Sequence, residues 1–284
     1  MSRPCRCVVI DGFDTAVFVA ATLAEDMGAG GDITSASVIP AEARLTAVMD
    51  SRDPVVVAGL PLAAAFFRAL DPACTVTMLA ADGDAVPAGA DLMRIEGNAR
   101  ALLTAERSAL NTVQHLTGIA TMTRQYVDAI AGTGAVLLDT RKTLPGLRAL
   151  EKYATRMGGA TNHRMRLDDG VMIKDNHIAV AGGVEPAVRA AKAAGLQGVV
   201  VEVDTLDQIP PALAAGADRL LLDNMGPDTL RAAVVLIAGR VPTEASGGVN
   251  LQTIRAIAET GVTFISVGRI TQSAPAADIG LDFA

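Results

Sequence analysis

A chain of 284 residues, half of them hydrophobic, carries enough apolar side chain for one large α/β barrel or two ordinary domains, and it is too apolar to be disordered. Its formal net charge of -7 argues against a nucleic-acid-binding surface spread over the whole molecule. Three cysteines and three histidines argue against a disulfide framework or a zinc cluster, because Cys5 and Cys7 are too close for a relaxed bridge, Cys74 stands alone, and no His pairs closely with a Cys.

At the N-terminus there is no apolar signal region with a cleavage site, so a reducing cytoplasm is the expected compartment. Residues 45–49 and 75–79 read as strands, with turns at Asp82-Gly83 and at residues 87–89. The longest apolar run, residues 55–67, contains Gly59 and Pro61 and is too short to span a bilayer. A helical stretch starts near Ala99 and carries Leu102, Leu103, Leu110, Val113 and Leu116; Gly118 is expected to interrupt it before a second helix through Tyr126 and Ile130. From Ala135 the rhythm changes. Short apolar runs at residues 135–139, 171–174, 199–203, 220–223, 241–246 and 264–268 alternate with helical pattern, which implies parallel βαβ units. Pro145 is expected near the start of the first intervening helix, Leu150, Tyr153, Ala154 and Met157 form its apolar stripe, and Gly158-Gly159 stops it. Six such strands fit a small or incomplete barrel, with an open doubly wound sheet as the alternative.

Between Asp139 and Lys174 eight Lys/Arg face four acids, so this segment carries +4 and the remainder -11. Such an island suggests a localised anion site, although for Arg148, Lys152 and Arg156 a solvated basic helix face is the preferred reading. The ends of the strand-like runs sharpen the point. They carry Asp139-Thr140-Arg141-Lys142, Lys174-Asp175-Asn176-His177, Glu202, Asp223-Asn224, Ser246-Gly247-Gly248 and Gly268. In βα barrels the C-terminal rim handles ligands, so these groups would converge. Singly, each has a plain explanation: an acid closing a strand caps a helix, Gly-Gly makes a turn, and a rim Lys snorkels. Together, the desolvated cations need counter-charge, and a ligand supplies it better than a scaffold that had apolar residues available. Asn162-His163-Arg164 feeds the same rim. Arg164 suits bidentate carboxylate binding, while His163 is either a hydrogen-bonded core residue or a proton-transfer group.

The ordered set Asp139-Thr140-Arg141-Lys142-Thr143, Pro145-Gly146-Leu147-Arg148, Gly158-Gly159, Asn162-His163-Arg164 and Ile173-Lys174-Asp175-Asn176-His177 resembles the quinolinate phosphoribosyltransferase family. The likeness extends to Glu25-Asp26, Gly31-Asp32-Ile33-Thr34, Glu106-Arg107 with Asn111, and Asp278-Ile279-Gly280-Leu281-Asp282, and it covers nearly all but about the first dozen residues. It implies an α/β fold with an N-terminal α/β sandwich domain (residues 1–115, to which the tail 271–284 returns) and an incomplete parallel α/β barrel (residues 116–270). It implies transfer of phosphoribosyl from phosphoribosyl pyrophosphate to quinolinate with decarboxylation, giving nicotinate mononucleotide, pyrophosphate and CO2 in NAD biosynthesis. A homodimer is also implied, with Arg107 donated across the interface. Quinolinate would be held by Arg107, Thr140, Arg141, His163, Arg164 and Lys174. Phosphoribosyl pyrophosphate would be held by Lys142, Glu202, Asp223, Ser246, Gly247, Gly248, Val267, Gly268, Arg269 and Gln272. Lys142, Glu202 and Asp223 would serve catalysis, the two acids also sharing Mg²⁺ with the pyrophosphate or binding ribose hydroxyls. Neither nucleic acid nor membrane is an implied partner.

The sequence departs from the family pattern at three points. Gln272 stands where a His is usual, Arg269 where a small residue is usual, and Arg166 where Gly is usual. Gln donates a hydrogen bond to phosphate without charge, and Arg269 is positioned in sequence to restore that charge. The competing expectations are a molybdenum-uptake-linked paralogue of the same fold, a Schiff-base aldolase using Lys174, and a non-catalytic phosphometabolite-binding protein.

Overall fold

The structure, a computed structural model, describes residues 10–283, so Cys5 and Cys7 lie outside the described residues. The chain divides into two compact units: one takes the residues up to Arg124 together with Ala149–Gly159 and the tail from Ala274, and the other takes Gln125–Arg148 and Ala160–Ser273. This division differs from 1–115, 116–270 and a tail of 271–284 in three places, one being a tail that starts at Ala274. The boundary also falls later, and the helix Arg148–Gly158 groups almost entirely with the first unit instead of the barrel.

In the first unit, β1 (Arg44–Ser51), β2 (Val55–Val56), β3 (Thr75–Met78), β4 (Ala85–Val86) and β5 (Ala90–Asn98) precede the long helix. A four-stranded antiparallel sheet runs in the order C-terminal strand (Ile279–Phe283), β1, β5, β3. Register sets Ala47 opposite Ile95 and Met49 opposite Leu281, which brings these side chains into one apolar layer. Phe66 and Phe67, from the helix Leu60–Leu70, complete that core. The start of this helix takes its cap from a distant residue. Asp82 accepts the N–H groups of Gly59 (2.8 Å) and Leu60 (3.1 Å), and the Tyr153 hydroxyl donates to the same carboxylate at 2.7 Å.

The helix Ala99–Ala129 is continuous through Gly118, contrary to the expected break. A Cβ at position 118 would lie 1.9 Å from the Pro275 carbonyl oxygen, so glycine there admits the returning tail and does not end the helix. The helix Arg148–Gly158 begins after Pro145, because Leu147 N–H closes a turn onto Leu144 O and Gly146 has φ +82°. Leu150, Tyr153 and Ala154 are buried as the stripe requires, and the chain leaves through Gly159 at φ +102°. The solvated-face reading holds for exposed Arg156 only. Arg148 is half-buried and donates to Thr143 Oγ1 and Met165 O. Lys152 is 0% exposed, and neighbouring Glu151 is buried with an oxygen 3.0 Å from His115 Nε2. Burial of both charges on this helix corrects the expectation for Lys152.

The second unit holds β6 (Val136–Leu138), β7 (Met172–Ile173), β8 (Val200–Val203), β9 (Arg219–Asp223), β10 (Thr243–Ser246) and β11 (Phe264–Ser266), all parallel. Their order is β6-β11-β10-β9-β8-β7. Each later strand lies beside its sequence neighbour and the last pairs with the first. That is a closing barrel; a doubly wound sheet would reverse its order partway. The remaining edge of β6 carries only a bridge from Leu138 to Thr161 and no pairing with β7, so the barrel is incomplete. Among the described residues no helix is long and apolar enough to cross a membrane.

Candidate active site

Register and alternation decide which side chains share the barrel interior. Val200 lies beside Arg219 and Glu202 beside Leu221; Leu221 lies beside Glu244 and Asp223 beside Ser246; Glu244 lies beside Phe264. Met172 lies beside Val200, so Lys174, two residues on, is level with Glu202 on the same face. The Lys174 ammonium meets Glu202 Oε2 directly. Glu202 is only 8% exposed and Lys174 half-buried, a pairing that leaves the ammonium reaching the rim.

The segment after β6 delivers the arginines. Asp139 is fully buried and accepts from His163 N–H at 2.8 Å and from Asn162 Nδ2 at 2.5 Å, tying the two loops together. Arg164 donates from Nη1 to Gly170 O at 2.8 Å. Burial, and then the nearby charge of Arg141, push the Arg164 guanidinium below its ordinary value, with Asp169 partly opposing. Arg141 Nε is buried without a hydrogen-bond partner. Two guanidinium groups that disfavour one another suit an anion with more than one acceptor.

His163 is hydrogen-bonded through one ring nitrogen and faces a carboxylate with the other. Its Nδ1 accepts from Arg164 N–H at 2.7 Å, and its Nε2 lies 3.4 Å from Glu244 Oε2. That approach is an ion-pair distance, not a well-aligned hydrogen bond. Nε2 and Glu244 Oε1 both lack partners of good geometry. Of the four such buried side-chain atoms found among the described residues, three belong to Arg141, His163 and Glu244. A folded chain rarely leaves such groups unmet; for His163 and Glu244 the near approach to one another partly compensates, while Arg141 Nε has no protein partner.

Glycine conformation shapes the rest of the rim. Gly247 has φ +87° and a Cβ there would sit 2.1 Å from Asn224 Oδ1, so no other residue fits. Gly248 follows at φ +63°, and neither amide meets an acceptor among the described residues. Asn224 Nδ2 donates to Asp223 Oδ2 at 2.6 Å. The Lys142 side chain crosses Gly268, where a Cβ would come within 2.9 Å of Lys142 Cδ. The Lys142 backbone is fixed from both sides, by Thr140 Oγ1 at 3.0 Å and by the Thr271 hydroxyl at 2.6 Å. Val267 is buried with its N–H bonded to Leu138 O, so it offers no donor to a phosphate and the first amide beyond the strand is that of Gly268. Arg269 and Gln272 are exposed on the short helix Arg269–Gln272, and the charge of Arg269 reaches Tyr126. Arg166 is exposed and paired with Asp168. Arg107 is exposed on the helix Ala99–Ala129 in the first unit.

Sequence reasoning missed Glu244, which is 0% exposed and 3.2 Å from Arg219 Nη1. The available signal was an acid two residues before Ser246, on the same face of an otherwise uncharged run. A separate cavity of about 470 Å³ lies in the first unit between Val19, Leu62, Ala65 and Tyr153; it is mainly apolar and contains none of the rim cations.

The segments that follow β6 and β7 therefore place Arg141, Lys142 and Lys174 at the C-terminal ends of parallel strands. Residues 119–282 match the family model for the quinolinate phosphoribosyl transferase C-terminal domain, and residues 32–117 match the N-terminal domain of the same family. The chain belongs to the quinolinate phosphoribosyltransferase family. Among curated relatives it is 46% identical to the probable nicotinate-nucleotide pyrophosphorylase [carboxylating] of Synechocystis sp., over 91% of this chain and 89% of that one. It is 44% identical to the nicotinate-nucleotide pyrophosphorylase [carboxylating] of Mycobacterium leprae, over 92% and 94%. The solved nicotinate-nucleotide pyrophosphorylase from Francisella tularensis superposes with a TM-score of 0.91 at 40% identity, over 98% of this chain and all of that one. Membership accounts for the joint presence of both units, and for a rim rich in cations on an acidic chain.

Proposed function

We propose that the chain is a nicotinate-nucleotide pyrophosphorylase (carboxylating), joining quinolinate to phosphoribosyl pyrophosphate to give nicotinate mononucleotide, pyrophosphate and CO2. The observation that carries this reading is the charge of Arg141 acting on Arg164, with a buried and unpartnered Nε on Arg141, in a barrel whose rim also carries the Lys174–Glu202 contact. A pyridine with two neighbouring carboxylates supplies the counter-charge that such cations need. The named relatives favour this reading over a molybdenum-linked paralogue. Pairing of Lys174 with a carboxylate counts against a Schiff-base role, which needs a neutral amine.

In this reading Arg141, Arg164 and Lys174 hold the two carboxylates, with Thr140 and His163 beside them. The partner copy of a homodimer supplies Arg107. The unmet amides of Gly247 and Gly248, with that of Gly268, take the 5′-phosphate. As pyrophosphate departs, positive charge grows at the anomeric carbon and the pyridine nitrogen attacks it. Lys142, laid across Gly268, neutralises the leaving group. The ring nitrogen of the adduct, now cationic, stabilises the carbanion formed when the adjacent carboxylate leaves as CO2, and a proton replaces it. No strong general base is required, so positioning and electrostatics carry the rate.

Glu202 and Asp223 fit Mg²⁺ as partial ligands only. Among the described residues no three metal-binding side chains cluster, and a hard cation bound by one or two carboxylates takes its remaining oxygens from substrate phosphates. When bound, the ion would offset the charge of the pyrophosphate. The cytoplasm is the proposed compartment. The test is direct: purified chain with Mg²⁺, phosphoribosyl pyrophosphate and quinolinate should release CO2 and form nicotinate mononucleotide, while nicotinate in place of quinolinate should not react. No product from quinolinate overturns the reading.

A further inference from the structure

Glu244 lies inside the barrel and is not itself assigned above to substrate, but it touches a residue that is, His163. It is 0% exposed, and its Oε2 is 3.2 Å from Arg219 Nη1 and 3.4 Å from His163 Nε2. Arg219 is itself confined, with its guanidinium 4.2 Å from the centre of the Phe264 ring. On the other side of the imidazole, Nδ1 accepts from Arg164 N–H at 2.7 Å, while the backbone N–H of His163 donates to Asp139 at 2.8 Å. A line of contacts thus runs from Phe264 through Arg219, Glu244 and the His163 ring to the backbone of Arg164.

We infer that Glu244 is a positioning residue of the proposed transferase, fixing the His163 ring and through it the backbone that presents Arg164 to a quinolinate carboxylate. The inference rests on the proposed reaction. Its physical basis is threefold. A buried carboxylate is costly where an apolar residue would fill the same space, so its retention calls for a use beyond packing. Its two partners differ in kind: Arg219 is a fixed cation low in the barrel, and His163 belongs to the loop that carries the anion-binding arginine. Finally, Glu244 lies two residues before Ser246 on the same face of the strand, fully buried beneath the rim.

The test compares substrates. Glu244→Gln keeps the shape but removes the charge shared by Arg219 and His163. It should raise KM for quinolinate about tenfold, leave KM for phosphoribosyl pyrophosphate within about twofold, and change kcat little. A purely structural acid would instead lower the yield of folded protein and leave both KM values of the folded fraction alone. In a His163→Asn background, the same substitution should shift KM for quinolinate less than about twofold, because the two changes break one line of contacts. An unchanged quinolinate KM, an equal rise for both substrates, or additive effects in the double variant overturns the inference while leaving the reaction intact. A wild-type chain that forms no product overturns the reaction itself, and the inference with it. Should Glu244→Gln not fold, ¹⁵N spectra of the wild type decide, since the chain has only three histidines to assign. His163 should carry its proton on Nε2 with Nδ1 unprotonated; a proton on Nδ1 overturns the assignment.

Discussion

Asp82 in the first unit and Glu244 in the barrel are both buried acids with several hydrogen-bonding neighbours, yet their surroundings push them in opposite directions. Burial raises Asp82 above the ordinary carboxylate range, and donation from Tyr153, Gly59 and Leu60 only partly opposes it. Burial also works to raise Glu244, but His163, Ser266 and Arg219 outweigh it and hold the acid below its usual range. Asp82 is met by neutral donors, whereas Glu244 also faces the fixed guanidinium of Arg219. The first unit uses its acid to cap a helix. The barrel keeps charge in its interior, and in the same unit the Nε of Arg141 is buried without a hydrogen-bond partner.

Breaking the barrel side of this contrast should cost activity and spare stability. Arg141→Ala is expected to lower kcat/KM for quinolinate on the order of 10²- to 10³-fold, the loss typical of one member of a buried charged contact. Its melting temperature should stay close to that of wild type, which calorimetry would check. Lys142→Ala should reduce turnover roughly 10- to 100-fold while KM for quinolinate stays within about twofold. Equal losses in both would remove Lys142 from the leaving-group role. Breaking the first unit should do the reverse. Gly118→Ala gains helix propensity but drives a methyl into the Pro275 carbonyl, so urea unfolding should show a net loss of about 1–3 kcal/mol, with kcat per folded molecule unchanged.

The two acids themselves offer a subtler comparison through pH. A group raised on folding contributes stability that is complete below its unfolded pKa and is lost as pH rises through the folded value, so wild type should lose ground to Asp82→Asn as pH climbs out of the acid range. A group lowered on folding behaves oppositely, and the stability due to Glu244 should be present above the ordinary carboxylate range and disappear as pH falls through its depressed value. Urea midpoints of wild type and each variant, from about pH 3 to 7, would expose both slopes. The smallest effect is expected at the rim: Arg269→Ala should raise KM for phosphoribosyl pyrophosphate about two- to fivefold, the worth of an exposed cation near an anion. An unchanged value would argue against charge compensation for Gln272.

Much of the barrel was legible because each strand announces itself twice, as an apolar run and as a polar residue that ends it. That Glu202 could pair with a rim cation was readable, but its pairing with Lys174 needed the β7–β8 register as well. The first unit was harder to read, since its decisive contacts join distant residues. Gly118 looked like a helix end because the residue that needs the space, Pro275, lies 157 positions away. Lys152 looked like a surface cation because periodicity places it off the apolar stripe, and only tertiary packing buries it. Glu244 went unread for a related reason: a single acid in a short strand looks incidental until Arg219 and His163 are found on either side.

The C-terminal strand pairs with β1 from Ala47 to Ser51, and Gln114 grips it through a hydrogen bond to Ile279 O. During translation the stretch that begins the first unit emerges well before the barrel, yet its sheet has an open edge until residues 279–283 leave the ribosome. Nascent chains arrested anywhere inside the barrel would therefore expose an unpaired β1 edge, the kind of surface that chaperones shield and that aggregates when they are scarce.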